Sequence, residues 1–311
     1  MNNLRNPENA EQAKTDHPIN MALTTNDLTM RFGKSEVLSH VNVSVPEGSV
    51  YALLGRNGAG KSTLMQIAMG IQNPTSGSVS VLGMNPQKQG PQLRQRIGYI
   101  PERMPLYEWM TVDQIIRFVA DQYKHWDKDE EDRLVAKFKL DRKKKVKDLS
   151  RGNVALLLLV MSMSHSPELV LLDEATSGMD AIFRAEFDRT VIETLQEAKH
   201  TVVFASHQLR ELEFLCDWVG IIHEGKLLLE LPVEQLKSEV KTLRIEGREG
   251  IVLPSLPGEL SRQAFGREYM ITVRNSRTSI AMPDSMSLIE TIDLTLEQIF
   301  VALLTDRGEQ E

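Results

Sequence analysis

The stretch "GRNGAGKST", Gly55 to Thr63, fits the phosphate-loop pattern G-x-x-x-x-G-K-[ST]. It directly follows "SVYALL", Ser49 to Leu54, a short apolar run typical of a buried strand, and a helix-like segment begins at Lys61. Successive backbone N–H groups in such a loop form an anion-binding nest, and the helix N-terminus adds positive potential. The stretch therefore predicts a phosphate-binding loop rather than a merely glycine-rich turn.

All nine residues of this loop are candidate nucleotide ligands. Lys61 would supply a point charge to the β- and γ-phosphates, and Ser62 a hydroxyl to magnesium. The candidates are Gly55, Arg56, Asn57, Gly58, Ala59, Gly60, Lys61, Ser62 and Thr63.

A second stretch, "LVLLDE" at 169–174, predicts carboxylates that act beside this loop. Its four apolar residues predict a buried strand, and Asp173 emerges at the carboxyl end, where α/β sheets bind ligands. Asp173 can hold magnesium through water, and Glu174 can take a proton from an attacking water. Two adjacent carboxylates can also cap a helix, but a phosphate loop in the same chain favours the catalytic interpretation.

Composition and charge narrow the classes of protein to which the chain can belong. Of its 311 residues, 41% are hydrophobic and 25% charged, as in ordinary soluble globular proteins. The net charge of −7 offers no global basic field to nucleic acid, and the basic run "DRKKKVK" at 141–147 is typical of a solvated face. The single cysteine, Cys216, fits a reducing compartment and a buried structural role.

Membrane association is expected only through partner chains. Residues 1–20 are polar, lack the apolar core of a signal peptide, and are predicted to form a disordered tail. The apolar run "VALLLLVM" at 154–161 is far shorter than the ~20 residues that span a bilayer, and no other run approaches that length.

The first part of the chain predicts an α/β fold with two additions. Residues 21–50 alternate polar and apolar and predict a small antiparallel group. "SVSVLG" and "RIGYIPE" are predicted to form a strand pair after the loop, and a helical insertion is predicted over residues 103–150. Beyond it, buried strands alternate with helices, which implies a parallel sheet covered on both faces.

The pattern breaks near Leu236–Val240, so two units are predicted. Residues 21–237 would form the larger unit, and residues 238–311 a small α+β unit. Near its end, Thr295 and Gln298 predict a capping box at the start of a helix.

Further motifs follow the loop in a fixed order: "LSRGN" at 149–153, "LVLLDEAT" at 169–176, "SGMD" at 177–180, and His207 directly after "TVVFAS". Over residues 22–235 the set resembles the ATP-binding subunits of ABC transporters in order and spacing. The resemblance implies a P-loop NTPase core of the ABC type, with an N-terminal antiparallel β subdomain and a helical insertion. The tail "LTLEQIFVALLTDRG" further resembles the C-terminal extension of drug- and antibiotic-exporter ATPase subunits.

The resemblance also implies roles for four residues outside the two stretches. Phe32 falls where an aromatic ring stacks on adenine, and Asp180 would lie at a dimer seam. His207 would hydrogen-bond the γ-phosphate and keep the attacking water in position. Glu102, in "YIPER", stands where the family usually has a glutamine that reaches toward magnesium and water. A carboxylate there can still coordinate a cation, but it adds negative charge near the γ-phosphate.

"LSRGN" resembles the family signature LSGGQ, with Arg151 for a glycine and Asn153 for the glutamine. Ser150 and Gly152 keep a hydroxyl and an unshielded backbone at a helix N-terminus. The resemblance implies that this terminus faces the γ-phosphate held by another subunit. "VALLLLVM" is then the body of the signature helix, predicted to be apolar all round and fully buried.

The resemblance implies an ATPase subunit of a transporter, with export favoured and with ATP and Mg²⁺ bound. One phosphate loop and one signature face different ways within a chain, so two chains, identical or different, are expected to meet head to tail around two ATP molecules. Separate permease subunits would supply the substrate path and dock on residues 103–148, which places the chain at the cytoplasmic face of the membrane.

Two alternatives remain open at this point. One is a soluble ABC-type regulatory ATPase acting on ribosomes or DNA, although the chain lacks the second cassette or long coiled-coil insertion of such proteins. The other is a nucleotide-binding module that scarcely hydrolyses, as Glu102, Arg151 and Asn153 suggest. Glu174 and His207 argue against it.

Overall fold

Strands in three sheets dominate the part of the chain that can be described. The computed structural model describes residues 20–102, 106–177, 179, 184, 187, 189–191, 193–194, 200–206, 212–247, 255–274 and 286–305. All of the predicted tail except Asn20 therefore lies outside the described residues. The strands are β1 Met21–Phe32, β2 Ser35–Val41, β3 Ser44–Pro46, β4 Val50–Leu54, β5 Ser76–Val81, β6 Ile97–Ile100, β7 Leu169–Asp173, β8 Thr201–Ser206, β9 Trp218–His223, β10 Lys226–Pro232, β11 Val240–Gly247, β12 Glu259–Phe265, β13 Glu268–Arg274 and β14 Met286–Asp293.

The described helices are short to medium in length. None of them combines the length and apolar composition that crossing a bilayer requires. They are α1 Lys61–Ala68, α2 Pro86–Arg94, α3 Val112–Ala120, α4 Lys128–Lys137, α5 Arg151–Met163, α6 Val233–Glu239 and α7 Leu296–Thr305, with 3₁₀ turns at Val146–Asp148 and Leu212–Phe214.

The central sheet has the strand order β10-β9-β4-β8-β7-β6, and all neighbours are parallel except β10 and β9. Successive side chains of β4 enter two apolar clusters: Val50, Ala52 and Leu54 join one, and Tyr51 and Leu53 the other. Since successive side chains of a strand point to opposite faces, the sheet is covered on both sides, which confirms the predicted α/β class.

Strand order also brings the two predicted stretches together. β8 pairs with β4 on one side and with β7 on the other, so Leu54 lies opposite Ser206 and Asp173 opposite Ala205. The loop after β4 and the carboxylates at the end of β7 therefore meet at the carboxyl edge of the sheet, where α/β proteins bind ligands.

The N-terminal antiparallel sheet is built around β1, which pairs with β2, β3 and β5. The predicted pairing of "SVSVLG" with "RIGYIPE" is wrong. β5 joins this sheet, whereas β6 pairs with β7 at the edge of the central sheet. Helix α2 separates the two strands, with Asn85 as its N-cap and Pro86 in its first turn. Its second proline and its glycine weakened the helical signal in the sequence.

Helices α3 and α4 and the 3₁₀ turn at Val146–Asp148 lie within the predicted helical insertion, residues 103–150, and α5 follows it directly. The Thr111 and Gln114 capping box starts α3, and the Asp127 side chain caps α4. Helix α5 carries the "VALLLLVM" run, most of which is buried. Val154, Leu156 and Leu158 are only half-buried, so complete burial was wrong at these positions. Val154 and Leu158 are four residues apart and therefore lie on the same face of α5, and Leu158 lies past the middle of this 13-residue helix.

Residues after β10 form a second, smaller layer. β11 lies between β13 and β14, and β12 pairs with β13, all antiparallel. The Thr295–Gln298 capping box before α7 is confirmed: Gln298 N donates to Thr295 Oγ1 at 3.2 Å, and Thr295 N to Gln298 Oε1 at 2.9 Å. Cys216 is buried, as its apolar surroundings in the sequence predicted.

Candidate active site

The loop after β4 has a shape that only glycine allows at two positions. A Cβ on Gly55 would lie 2.5 Å from the carbonyl oxygen of Ile222. Gly60 has φ +105°, and a Cβ there would lie 2.6 Å from Leu38 Cδ2. Helix α1 begins immediately afterwards at Lys61. Neighbouring backbone thus fixes the loop and aims the first N–H groups of α1 into it.

Lys61 is bound to both halves of the site. Its side chain is only 5% exposed, and Nζ donates to the carbonyl oxygens of Gly55 at 2.7 Å and Arg56 at 3.2 Å. The same Nζ lies 3.1 Å from Glu174 Oε1. A buried ammonium needs such partners, and here they hold its charge between the loop and the strand-end carboxylate.

Asp173 forms the second link across the sheet edge. Ser62 Oγ donates to its Oδ1 at 2.8 Å, and Tyr99 OH to its Oδ2 at 3.3 Å. Burial raises the pKa of Asp173, and the charges of Glu174 and Glu102 act in the same direction, whereas the two hydrogen bonds lower it. The carboxyl is therefore placed where a bound cation would relieve both burial and repulsion.

Glu174 has an unusual backbone conformation. Its φ is +49°, in the left-handed region that few non-glycine residues adopt. Its N–H donates to Ala205 O at 3.0 Å, and its carbonyl accepts from Ser177 N at 2.9 Å. Such strain persists where the surroundings hold the residue in place, and it is concentrated at functional sites.

Of the remaining predicted residues, Phe32 and Glu102 lie in the part of the chain that the structure describes. Phe32 ends β1 and is 48% exposed, so its side chain is accessible to a ligand. Glu102 is exposed, and Ser177 Oγ donates to its Oε1 at 3.5 Å. Asp180 and His207 lie outside the described residues, so their predicted roles stay predictions.

The signature residues lie apart from the loop. Ser150 caps α5 by accepting from Asn153 N at 3.2 Å, and Gly152 is buried in the first turn. Within the described residues, no hydrogen bond or ion pair joins either residue to Gly55–Thr63. Arg151 is exposed and Asn153 half-buried.

Sequence reasoning missed Tyr99. It lies in the "RIGYIPE" strand, opposite Leu171 of β7, and the two-strand register carries its hydroxyl to Asp173. Only the pairing of β6 with β7 reveals this contact, and that pairing has no local signal in the sequence.

Cavity volume alone would have indicated a different site. A cavity of about 840 Å³ lies between α7 and the C-terminal sheet, whereas a smaller cavity of about 510 Å³ borders the loop at Arg56–Ala59. The loop is the candidate site because the lysine, the hydroxyl and the two carboxylates converge there.

Comparisons with known proteins agree with this geometry. The family model described as ABC transporter matches residues 38–177. The bacitracin transport ATP-binding protein BcrA of Bacillus licheniformis is 36% identical over 234 residues, covering 69% of this chain and 71% of the relative. The lantibiotic transport ATP-binding protein SrtF of Streptococcus pyogenes is 37% identical over 210 residues, covering 67% and 90%. A solved structure titled as the ATP-binding subunit of an ABC transporter aligns with TM-score 0.63 at 27% identity, over 70% of this chain and 92% of the other.

These relatives are named as transport ATP-binding proteins. Their names support the hypothesis of a transporter subunit and give no support to a regulatory ATPase that acts on ribosomes or DNA. The interpretation as a barely hydrolysing module gives way as well, since the family match is to an ATPase. The chain belongs to the ABC transporter family, as an ATP-binding and ATP-hydrolysing subunit.

Proposed function

We propose that two copies of such subunits clamp ATP head to tail and drive export of a compound through separate membrane subunits. The observation that carries this proposal is the incompleteness of the site within one chain. The loop follows β4, and the signature helix α5 packs against β6, three strands away in the sheet order. That separation is roughly 14 Å at ordinary strand spacing. The signature of a second chain is the group that completes the pocket.

Within one chain, five residues carry the chemistry. Lys61 binds the β- and γ-phosphates, and Ser62 with Asp173 holds the cation, with Glu102 beside them. Mg²⁺, when bound, neutralises phosphate charge and orients the transferred group. Glu174 takes the proton of the attacking water, and its contact with Lys61 at 3.1 Å supports this role.

The donor set fits a magnesium ion that keeps waters and phosphate oxygens as ligands. In the described residues no cluster of three or more His, Cys, Asp or Glu side chains could hold a metal by itself. Mg²⁺ is commonly bound by one or two carboxylates together with substrate phosphates. The pair of Ser62 and Asp173 matches that mode.

The second subunit contributes Ser150 and Gly152 to the γ-phosphate. Asp180 would lie at the seam between subunits, and His207 would position the water. The partner is either a second copy or a different ATP-binding chain, and the loop residues Arg56–Gly58 are exposed to receive it.

The permease subunits dock on the helical insertion. Tyr107 and Trp109 are exposed by 51% and 65%, and the Tyr107 ring lies 5.6 Å edge-to-face from the exposed Phe118 ring. Exposed aromatic clusters of this kind are typical of protein contact surfaces. Such docking holds the chain at the cytoplasmic face of the membrane.

The relatives BcrA and SrtF are named for bacitracin and lantibiotic transport. Both names refer to the transport of antibiotics, which favours an antibiotic or drug as the exported compound.

ATP turnover by the purified protein tests the proposal. We expect phosphate release that Lys61→Ala abolishes together with ATP binding, because the buried charge at the phosphates is lost. Glu174→Gln should abolish turnover but retain ATP binding, since only the base is removed. A Glu174→Gln protein that hydrolyses ATP at the parent rate would contradict the assignment of the base.

A further inference from the structure

Helix α7 is part of the main core although it lies at the end of the smaller unit. Its buried face belongs to the same apolar cluster as β9, which pairs with β4, and β10, the edge strand that pairs with β9. The residues are Leu296, Ile299, Phe300 and Leu303 on α7, and Val219, Ile221, Leu229 and Leu231 on the strands. A displacement of α7 therefore disturbs the packing of these strands.

Phe300 brings α7 to the phosphate loop. Its side chain is 9% exposed and lines the cavity of about 510 Å³ together with the loop residues Arg56–Ala59 and the turn residues His223 and Glu224. The turn between β9 and β10 is joined to the loop directly, because Gly225 N donates to Ala59 O at 3.2 Å. The phosphate loop is therefore hydrogen-bonded to a turn that lines the same cavity as Phe300.

The first turn of α7 is also hydrogen-bonded to the 3₁₀ turn at Leu212–Phe214. Leu296 N donates to Glu213 Oε2 at 3.2 Å, and Lys237 Nζ donates to Glu213 Oε1 at 2.6 Å. The Glu213 side chain is 6% exposed. A carboxylate at a helix N-terminus is favourable, and Glu213 stands in the segment that follows β8, six positions beyond His207. Helix α7 is therefore attached both beside the loop and to the continuation of β8.

We propose that Phe300 is a positioning residue for the phosphate loop, and that α7 thereby couples the C-terminal unit to ATP binding. The inference rests on the proposed ATPase function. Phe300 acts through the 223–225 turn and Ala59 and does not touch the nucleotide. Coupling between two sites is reciprocal, so a perturbed α7 weakens ATP binding, and bound ATP stabilises α7.

Variants at two adjacent positions of α7 test the first half of this statement. Phe300→Ala removes the ring that lines the cavity beside the phosphate loop. Val301→Ala changes a side chain that is 57% exposed and lines the cavity between α7 and the C-terminal sheet. We expect Phe300→Ala to raise the KM for ATP about three-fold or more, with a smaller change in kcat. Phe300→Leu should restore most of the affinity, and Val301→Ala should match the parent. A folded Phe300→Ala protein, checked by circular dichroism, with the KM of the parent would overturn the proposal.

Hydrogen exchange of the unaltered protein tests the second half and needs no variant that could fail to fold. With Mg-ATP we expect slower amide exchange at residues 55–63 and also at 296–303. Protection of 55–63 with unchanged exchange at 296–303 would overturn the coupling and leave the proposed function intact. No protection at 55–63 would overturn the proposed function, and this inference with it.

Discussion

Asp173 lies among groups that pull its pKa in opposite directions. Burial and the charges of Glu174 and Glu102 raise it, whereas hydrogen bonds from Ser62 and Tyr99 lower it. The pKa of Asp173 is raised on balance, and a divalent cation beside the three carboxylates would lower it and offset their repulsion. The Ser62 hydroxyl, 2.8 Å from Asp173, is therefore the group through which cation binding is most easily perturbed.

Replacing that hydroxyl should weaken the cation more than the nucleotide. For Ser62→Ala we expect the Mg²⁺ concentration that gives half-maximal turnover to rise about ten-fold or more, because Asp173 loses a hydrogen bond and the cation a ligand. Ser62→Thr keeps the hydroxyl and is the matched control. The measurement is a Mg²⁺ titration at saturating ATP, and equal Mg²⁺ requirements of the Ala and Thr variants would contradict the assignment.

His165 makes the fold sensitive to acid. Its ring is 4% exposed and stacks on Tyr123 with centroids 4.0 Å apart, and neither ring nitrogen has a hydrogen-bond partner among the described residues. Burial lowers the pKa of His165 to about 4. The unfolded chain, with a pKa near 6.5, takes up the proton first. The stabilising contribution is therefore complete above pH 6.5 and is lost as the pH falls toward 4.

His165→Phe should remove this sensitivity, because phenylalanine can stack on Tyr123 and does not titrate. Between pH 6.5 and 4 we expect the free energy of unfolding of the parent to fall by about 3 kcal/mol more than that of the variant. Denaturant titrations of both proteins across this pH range give the difference between their free energies of unfolding. Titratable groups that both proteins share cancel in this difference. If the free energies of unfolding of the two proteins changed with pH in parallel, His165 would ionise as readily in the folded protein as in the unfolded chain, and the prediction would be wrong.

At the scale of elements, α5 combines a structural cap with a functional terminus. Ser150 accepts from Asn153 N and so satisfies one of the free N–H groups of the first turn. The same hydroxyl is proposed to contact the phosphate held by the other subunit. Stability and turnover can be separated here because asparagine caps helices about as well as serine but has no hydroxyl.

Two substitutions at Ser150 use this difference. Ser150→Ala should cost about 1 kcal/mol of stability, a fall in Tm of about 2–4 °C, together with most of the turnover. Ser150→Asn should keep the Tm of the parent and still lose turnover. Calorimetry and phosphate release on the same samples decide the point. Full turnover by Ser150→Asn would reduce Ser150 to a helix cap.

Elements with strong local patterns could be predicted, whereas pairings between distant strands could not. The phosphate loop, the "LVLLDE" strand and the Thr295 capping box each depend on neighbouring residues, and the sequence carries them. The partner of β5 depends on the direction that the chain takes after α2, which is not a local property. The two edge strands of the C-terminal sheet, β12 and β14, had no clear alternation of buried residues. For the same reason Tyr99 and Glu213 escaped notice, since their partners lie 74 and 83 positions away.

At the scale of the whole molecule, the proposed site is divided between two surfaces, and among the described residues no hydrogen bond or ion pair joins them within one chain. Lys61, Ser62 and the carboxylates meet at the end of β4 and β7, and the signature terminus lies beyond β6. Bound ATP that touches both surfaces acts as a ligand of the dimer. In the proposed clamp, the free energy of ATP binding stabilises that dimer, and hydrolysis removes the stabilisation.

Turnover should therefore depend on protein concentration. For the parent we expect specific activity to fall on dilution, because a lone chain lacks the signature of its partner. Glu174→Gln with ATP should form a species of twice the 35.1 kDa mass of one chain, while Lys61→Ala with ATP stays a monomer and serves as the control. Light scattering and phosphate release over a dilution series provide both measurements. Constant specific activity down to concentrations at which only monomers are detected would mean that a single chain completes its own site, and the clamp would then have to be abandoned.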